Sequence, residues 1–433
     1  MYQQLLTRIT QRTAHIGVIG LGYVGLPLAA AWAREGFLVT GIDIDLQRVA
    51  MCQQGTSWIA DVSSDDLKTL VRNSRLSATT DMEVLSELDA ISICVPTPLN
   101  KTKDPDISAV LNAVEMIAAH LHHGQLIVLE STTYPGTTDE LVLPRLCQTG
   151  LTVGEDFFLA FSPERTDPGN NRYGLCNTPK VVAGITPTCL EIAAALYKTV
   201  VDTIVPVSST RAAELVKLLE NTFRSVNIGL VNELAIMANL LGVNVWEVIS
   251  AAATKPFGFM PFYPGPGLGG HCIPIDPHYL AWKLRTLNYK TRFIEVASEI
   301  NGQMPRYVVE RITHAMNEAG KCLNGSHILV VGVSYKRDIG DLRESPAIDI
   351  IELLHERKAH IEYADPYIPV LAFSQMALTA VPLDEEHVSS ADCIVIITDH
   401  RAFDYAYLAR TASLIVDTRN ATAGIVGSHI WRL

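Results

Sequence analysis

The chain has 433 residues, of which 48% are hydrophobic, 18% charged and 7% aromatic, a globular composition long enough for two or three domains. A formal net charge of −12 argues against a non-specific nucleic-acid binder, and no apolar run reaches the roughly 18–20 residues a membrane helix needs. The N-terminus has no secretory apolar stretch and the eight cysteines form no C-x-x-C pair, so reduced thiols, a cytoplasmic protein and no metal centre are expected.

The N-terminal residues lead straight into a strand at 15–20, and Gly20-Leu21-Gly22-Tyr23-Val24-Gly25 follows it. A Leu- and Ala-rich helix then runs to Arg34, and a second strand at 37–42 closes on Asp43. Gly20 permits a tight turn, Gly22 lets backbone approach a pyrophosphate, and Gly25 lets helix and strand pack closely. Tyr23 and Val24 stand between these glycines, at the helix N-terminus where the pyrophosphate would rest. Asp43 falls where an acid accepts from a ribose 2′-OH, which favours NAD over NADP; nearby Arg48 softens that preference. The plainer alternative is a glycine-rich turn without a ligand.

Further strands at 90–95 and 125–130 end in polar residues, which puts Thr97 and Thr132 beyond the carboxyl ends of strands, where ligands of open α/β sheets bind. Either threonine also suits a simple turn or cap. A strand at 157–161 leads into Ser162-Pro163-Glu164-Arg165 and places a carboxylate at the same edge.

From Thr210 to Leu241 only Gly229 interrupts a helical pattern carrying Leu215, Leu218, Leu219, Phe223, Val226, Leu230 and Leu234, with Ser209 and Thr210 able to cap its start. A helix this long spans domains or forms a dimer seam. Lys217 and Asn221 are four apart, so they share a face and could hold an oxyanion; a surface lysine supporting the helix is the alternative. A Pro-, Gly- and aromatic-rich loop over 255–267 delivers the chain to Gly269-Gly270-His271-Cys272, and a helix is expected over 278–287. Helix dipoles lower the pKa of a thiol near a helix start, and Asp276 lies one turn on from Cys272. A thiolate captures an aldehyde, and the adduct can be oxidised again.

The C-terminal third repeats a doubly wound pattern: strands at 326–333, 361–364, 393–398 and 413–416, with a helix over 345–356. Its first turn, Gly332-Val333-Ser334-Tyr335, lacks the dinucleotide glycines, and Lys336, Arg337 and Arg343 crowd the expected ligand edge. A nucleotide-diphosphate site or a merely basic loop would both fit. The expected fold is thus α/β, with two Rossmann-like doubly wound domains joined by a central helical domain: 1–207 for NAD, 208–305 for dimerisation and the cysteine, and 306–433 for a nucleotide diphosphate.

The stretches GLGYVGLPLA, VPTPLNK, ESTTYPGTT, FSPER, AAELVKLLENTFR, PGPGLGGHCIPIDP and DLRESPA resemble, from about residue 14 to about 420, the UDP-glucose/GDP-mannose dehydrogenase family of nucleotide-sugar 6-dehydrogenases. Residues 130–138, Asp167-Pro168-Gly169-Asn170 and His271 are most similar to the branch acting on UDP-N-acetyl-D-glucosamine for surface polysaccharides. The resemblance implies Cys272 as nucleophile, Lys217 and Asn221 as oxyanion pair, and Asp276 as the acid near the catalytic water. It implies Glu164 as the carboxylate aiding thioester hydrolysis and Thr132 as a hydroxyl near water and nicotinamide. Gly20, Gly22, Gly25, Asp43, Arg48 and Thr97 match NAD positions, Lys336 and Arg343 the uridine-diphosphate side, and Arg165 and Gly269 complete the substrate set. Where the UDP-glucose branch has a second glutamate this chain has Pro168, and Gly340 stands where relatives often carry a larger residue. A UDP-sugar substrate and at least a dimer are implied. UDP-N-acetylmannosamine, UDP-N-acetylgalactosamine and UDP-glucose are competing substrates. A two-electron hydroxyacid-type dehydrogenase and a non-catalytic NAD sensor are the competing readings outside the family.

Overall fold

The computed structural model describes every residue except Ala60, Lys101, Pro168, Gly169, Asn171, Ser374 and Gln375. The chain forms two compact units, Met1–Glu220 with His278–Tyr289, and Asn221–Pro277 with Lys290–Leu433.

The first unit is built on an eight-stranded sheet: β1 (His15–Ile19), β2 (Leu38–Ile42), β3 (Leu76–Thr79), β4 (Ala90–Ile93), β5 (Leu126–Leu129), β6 (Phe158–Phe161), β7 (Lys180–Gly184) and β8 (Ile204–Pro206), in the order β3-β2-β1-β4-β5-β6-β7-β8. Neighbours from β3 to β6 run parallel, β7 runs antiparallel to β6, and β8 follows β7 in parallel. These strands are near-continuous apolar runs because both faces are covered. Leu126 and Val128 of β5 enter one core cluster with Trp32 and Phe158, while Ile127 and Leu129 enter the other with Ile93 and Phe161, as a period of two requires. The chain does not lead straight into β1: a helix, Tyr2–Thr10, precedes it. Its Leu5 and Ile9, four apart, bury against the core, so tertiary packing makes a helix of a segment whose sequence read only as a lead-in.

The second unit has a five-stranded parallel sheet of β9 (His327–Val331), β10 (His360–Ala364), β13 (Cys393–Ile396), β14 (Ile415–Asp417) and β15 (Ile430–Arg432), in the order β10-β9-β13-β14-β15; β11 (Val370–Phe373) and β12 (Met376–Thr379) form a separate hairpin. The long helix runs Thr210–Leu240 without a break. Ser209 Oγ accepts the Ala212 N–H at its start. Gly229 does not interrupt it: a Cβ there would stand 3.2 Å from Ala297 Cα, so glycine lets the helix Arg292–Glu318 approach closely. The helix after the cysteine begins at Asp276, earlier than the expected 278. Both doubly wound halves and the long helix are as the sequence predicts. The antiparallel β7 and the hairpin were not legible from periodicity.

Candidate active site

At the end of β1 the backbone turns through Gly20 with φ +93°. A Cβ at Gly20 would stand 2.5 Å from the Cys94 carbonyl oxygen, and one at Gly25 only 1.8 Å from the Gly20 carbonyl oxygen, whereas one at Gly22 would meet nothing within 4 Å. The outer glycines are thus required by packing, and the middle one leaves open backbone for a pyrophosphate. Helix Gly25–Arg34 begins without a side-chain cap at Val24; the Leu26 N–H donates to the Gly22 carbonyl at 3.1 Å and Pro27 has none to give, so an anion here would meet the glycine turn itself. Tyr23, in that turn, is 44% exposed. Buried Asp43 follows β2; its Oδ2 accepts the Leu21 N–H at 2.7 Å and its Oδ1 the Asp45 N–H at 3.0 Å. Arg48 Nη1 lies 3.5 Å from Asp43 Oδ2. These residues fit a dinucleotide. Thr97 is buried and Thr132 half-buried, and the neighbouring Thr133 hydroxyl is buried without a protein hydrogen-bond partner. Sequence reasoning passed over Thr133, since nothing in a Thr-Thr pair tells which faces inward.

Glu164 is 12% exposed in its side chain and belongs to a buried charge cluster. Its Oε1 accepts the N–H groups of Arg165 at 2.8 Å and Thr166 at 2.7 Å, and its Oε2 accepts from Lys180 Nζ at 3.0 Å. Lys180 also reaches Glu130 Oε2 at 2.8 Å, while the Tyr197 hydroxyl and the Ser92 hydroxyl, the latter at 3.0 Å, donate to Glu130 Oε1. Burial would raise the Glu164 pKa, but the Lys180 charge and the Thr166 N–H outweigh it and hold it at about 2. Burial would lower Lys180; the two carboxylates hold it above the ordinary lysine value instead. Arg165, expected on the substrate, spends its guanidinium on Glu220 at 2.5 Å and the Pro179 carbonyl at 2.7 Å.

Lys217 and Asn221 lie one turn apart on the long helix, and both are buried, at 7% and 0% exposure, so Lys217 is not a solvated surface lysine. Within the second unit, Asn221 donates its side-chain N–H to Asp276 Oδ2 and accepts from Arg224 at Oδ1. Arg224 is a further candidate, legible only as one more helical cation. Cys272 is half-exposed, and its carbonyl accepts the N–H groups of Ile275 at 3.1 Å and Asp276 at 2.8 Å, which places the thiol in the turn just ahead of the helix. Gly270, with φ +87°, donates its N–H to the Arg343 carbonyl at 2.9 Å. A Cβ on Gly269 or Gly270 would fall 2.6 and 2.7 Å from the Tyr335 side chain, so the glycine pair seats the cysteine loop against Tyr335. The second unit therefore brings the cysteine turn and the basic loop together.

Of that loop's cations, Arg337 pairs with Asp399, and Arg343 places Nη2 2.6 Å from Asp341 Oδ2. The Lys336 carbonyl accepts from the Ser334 hydroxyl at 3.0 Å. Asp365, after β10, accepts the Val333 N–H at 2.8 Å, the same brace that Asp43 gives Leu21. Arg419 follows β14, and its Nε donates to the Ile397 carbonyl at 3.0 Å. Burial and the neighbouring Arg337 push its pKa down to about 10, which marks a desolvated cation at the carboxyl edge of this sheet. A single arginine after a strand gave no sequence signal for it. Lys101 and Pro168 lie outside the described residues. A Cβ added at Gly340 would stand 3.1 Å from the Tyr367 carbonyl oxygen, a tight approach that a larger residue could take only if the loop gave way.

Three family models match the chain in order: the NAD-binding domain of the UDP-glucose/GDP-mannose dehydrogenase family over residues 14–201, its central domain over 211–303, and its UDP-binding domain over 329–424. The chain is 35% identical over 391 residues, 90% of its length and 91% of the relative's, to a UDP-N-acetyl-D-glucosamine 6-dehydrogenase of Pseudomonas aeruginosa. It is 37% identical over 416 residues, 93% and 95% of the two chains, to an NDP-N-acetyl-D-galactosaminuronic acid dehydrogenase of Ralstonia nicotianae. Its fold is similar to that of a UDP-D-ManNAc dehydrogenase from Pyrococcus horikoshii, with a TM-score of 0.88 at 33% identity, covering 96% and 98% of the two chains.

Proposed function

Since the chain belongs to the UDP-glucose/GDP-mannose dehydrogenase family, we propose that it oxidises UDP-N-acetyl-D-glucosamine at C6 to the uronic acid, for surface polysaccharide synthesis. The carrying observation is the second unit's joining of the Cys272 turn, through Gly270 and Arg343, to a basic loop at the edge of a sheet in the UDP-binding domain. NAD, held by the first sheet, supplies the hydride acceptor, two per sugar. Cys272 Sγ adds to C6 at the aldehyde level, and the buried Lys217 and Asn221 donors stabilise the oxyanion. Oxidation of that adduct leaves a thioester, which water hydrolyses, oriented by Glu164, Asp276 and the Thr132 hydroxyl. Asp276 is held for this by the Asn221 amide. Lys336 and Arg343 take the diphosphate side, with Arg165 and Gly269 nearer the sugar.

The segments 1–207, 208–305 and 306–433 serve cofactor, catalysis with dimerisation, and nucleotide. None of the eight cysteines is joined in a disulfide, in keeping with a reducing cytoplasm. Among the described residues no helix is long and apolar enough to cross a membrane.

The test is a panel of UDP-N-acetylglucosamine, UDP-N-acetylmannosamine, UDP-N-acetylgalactosamine and UDP-glucose, read by product mass and NADH count. Two NADH per sugar with the N-acetylglucosamine epimer preferred is the expected result. One NADH per sugar removes the thioester route, and preference for another epimer moves the substrate. Cys272→Ser is expected to bind sugar and NAD yet form no acid; full turnover in that variant excludes the thiol.

A further inference from the structure

Lys180 has no place in the chemistry above, yet it is one of the least exposed charges in the first unit, at 4%. Its position follows from topology. β7 runs antiparallel to β6, so its first residue arrives at the edge where β5 and β6 end, beside Glu130 and Glu164. Burying a lysine is costly unless it is paired. One carboxylate would neutralise it, and Glu130, itself 2% exposed and steadied by Tyr197 and Ser92, suffices. The second contact, to Glu164, is therefore surplus to the lysine's own needs. What it does is fix the one carboxylate of the cluster that keeps access to solvent. Both Glu164 oxygens are then held, Oε1 by two backbone N–H groups and Oε2 by Lys180.

We propose that Lys180 is a positioning residue for the reaction: it holds Glu164 oriented as a fixed anionic acceptor for the hydrolytic water. This rests on the role given to Glu164 above. The groups facing Glu164 are Lys180 from β7, with Glu130 after β5 on that lysine's other side, the Thr166 hydroxyl, the Cys94 thiol after β4, and its neighbour Arg165, whose charge Glu220 takes up.

The experiment follows NADH formation from UDP-N-acetylglucosamine between pH 5 and 9. In the wild type no acidic limb from Glu164 is expected in this range. Lys180→Met is expected to lower kcat about ten- to hundredfold and to introduce an acidic limb at roughly pH 5–7, since a partly buried carboxylate without its cation is harder to ionise. Lys180→Arg should restore the rate and remove the limb. Glu130→Gln, which leaves Lys180 to Glu164, should melt earlier but show no new limb. A wild-type rate and profile in Lys180→Met overturns the proposal, as does the same new limb in Glu130→Gln, which would make the pair simply structural. Where Lys180→Met fails to fold, Lys180→Met/Glu130→Gln, with both buried charges gone, carries the same expectation. Glu164→Gln separates the two ideas: acid formation at the wild-type rate removes Glu164 from the reaction altogether, while an inactive Glu164→Gln beside a normal Lys180→Met removes only Lys180.

Discussion

Asp43 holds the Leu21 N–H with one oxygen and lies beside Arg48, so it braces the glycine turn and leaves acceptor capacity for a ribose hydroxyl. Asp43→Ala should raise the KM for NAD about tenfold or more, the worth of a charge-assisted hydrogen bond, and shift the NADP-to-NAD ratio of kcat/KM upward as Arg48 is released. An unchanged ratio would discredit the ribose assignment. Glu214 shows what burial does to a similar group. It accepts from Gly136 N–H at 2.6 Å, Thr138 N–H at 2.9 Å and the Thr138 hydroxyl at 2.7 Å, yet burial raises its pKa to about 7. A raised folded-state value means that its stabilising share is fully present below about 4.5 and is lost as pH rises through about 7, on the order of 3 kcal/mol in all. Urea unfolding at pH 5 and 8 should show this loss in the wild type and a flatter dependence in Glu214→Gln; equal slopes would remove Glu214 as its source.

The long helix illustrates how an element can be legible in outline and not in use. Its span was readable from apolar spacing, because sustained periodicity without proline leaves few other structures. Which of its polar residues go inside was not: Lys217, Asn221 and Asn232 are buried, while Phe223, Leu230 and Met237 stand 45%, 57% and 42% exposed in the second unit. The last three are seven apart in sequence, hence on one face, and such an apolar stripe suits a seam between two copies. Leu230→Glu is expected to convert a dimer or larger species into a smaller one by light scattering after gel filtration. A wild type that runs as a monomer removes this role for the stripe. Gly229, which looks like a weak point in the sequence, is where the helix Arg292–Glu318 packs close against this one. A glycine's reason lies in its neighbour, and the neighbour, Ala297, is far away in the chain.

Across the whole molecule, the sequence by itself determined the two doubly wound halves, the dinucleotide turn with its acid, and the lone cysteine behind a glycine pair. Each of these is local: a turn, a strand and a helix start are fixed by residues within about 30 positions of one another. Tertiary structure decided the rest. It reversed β7 and so brought Lys180, at the start of that strand, to Glu164, which lies 16 residues back in the loop after β6. It turned Asn221 toward Asp276, 55 residues on, and seated Gly270 against Arg343. It also took Arg165 out of the solvated edge by giving it Glu220. Charges and amides pair with whatever the fold delivers within about 3 Å, and no periodicity along the chain records which partner that is.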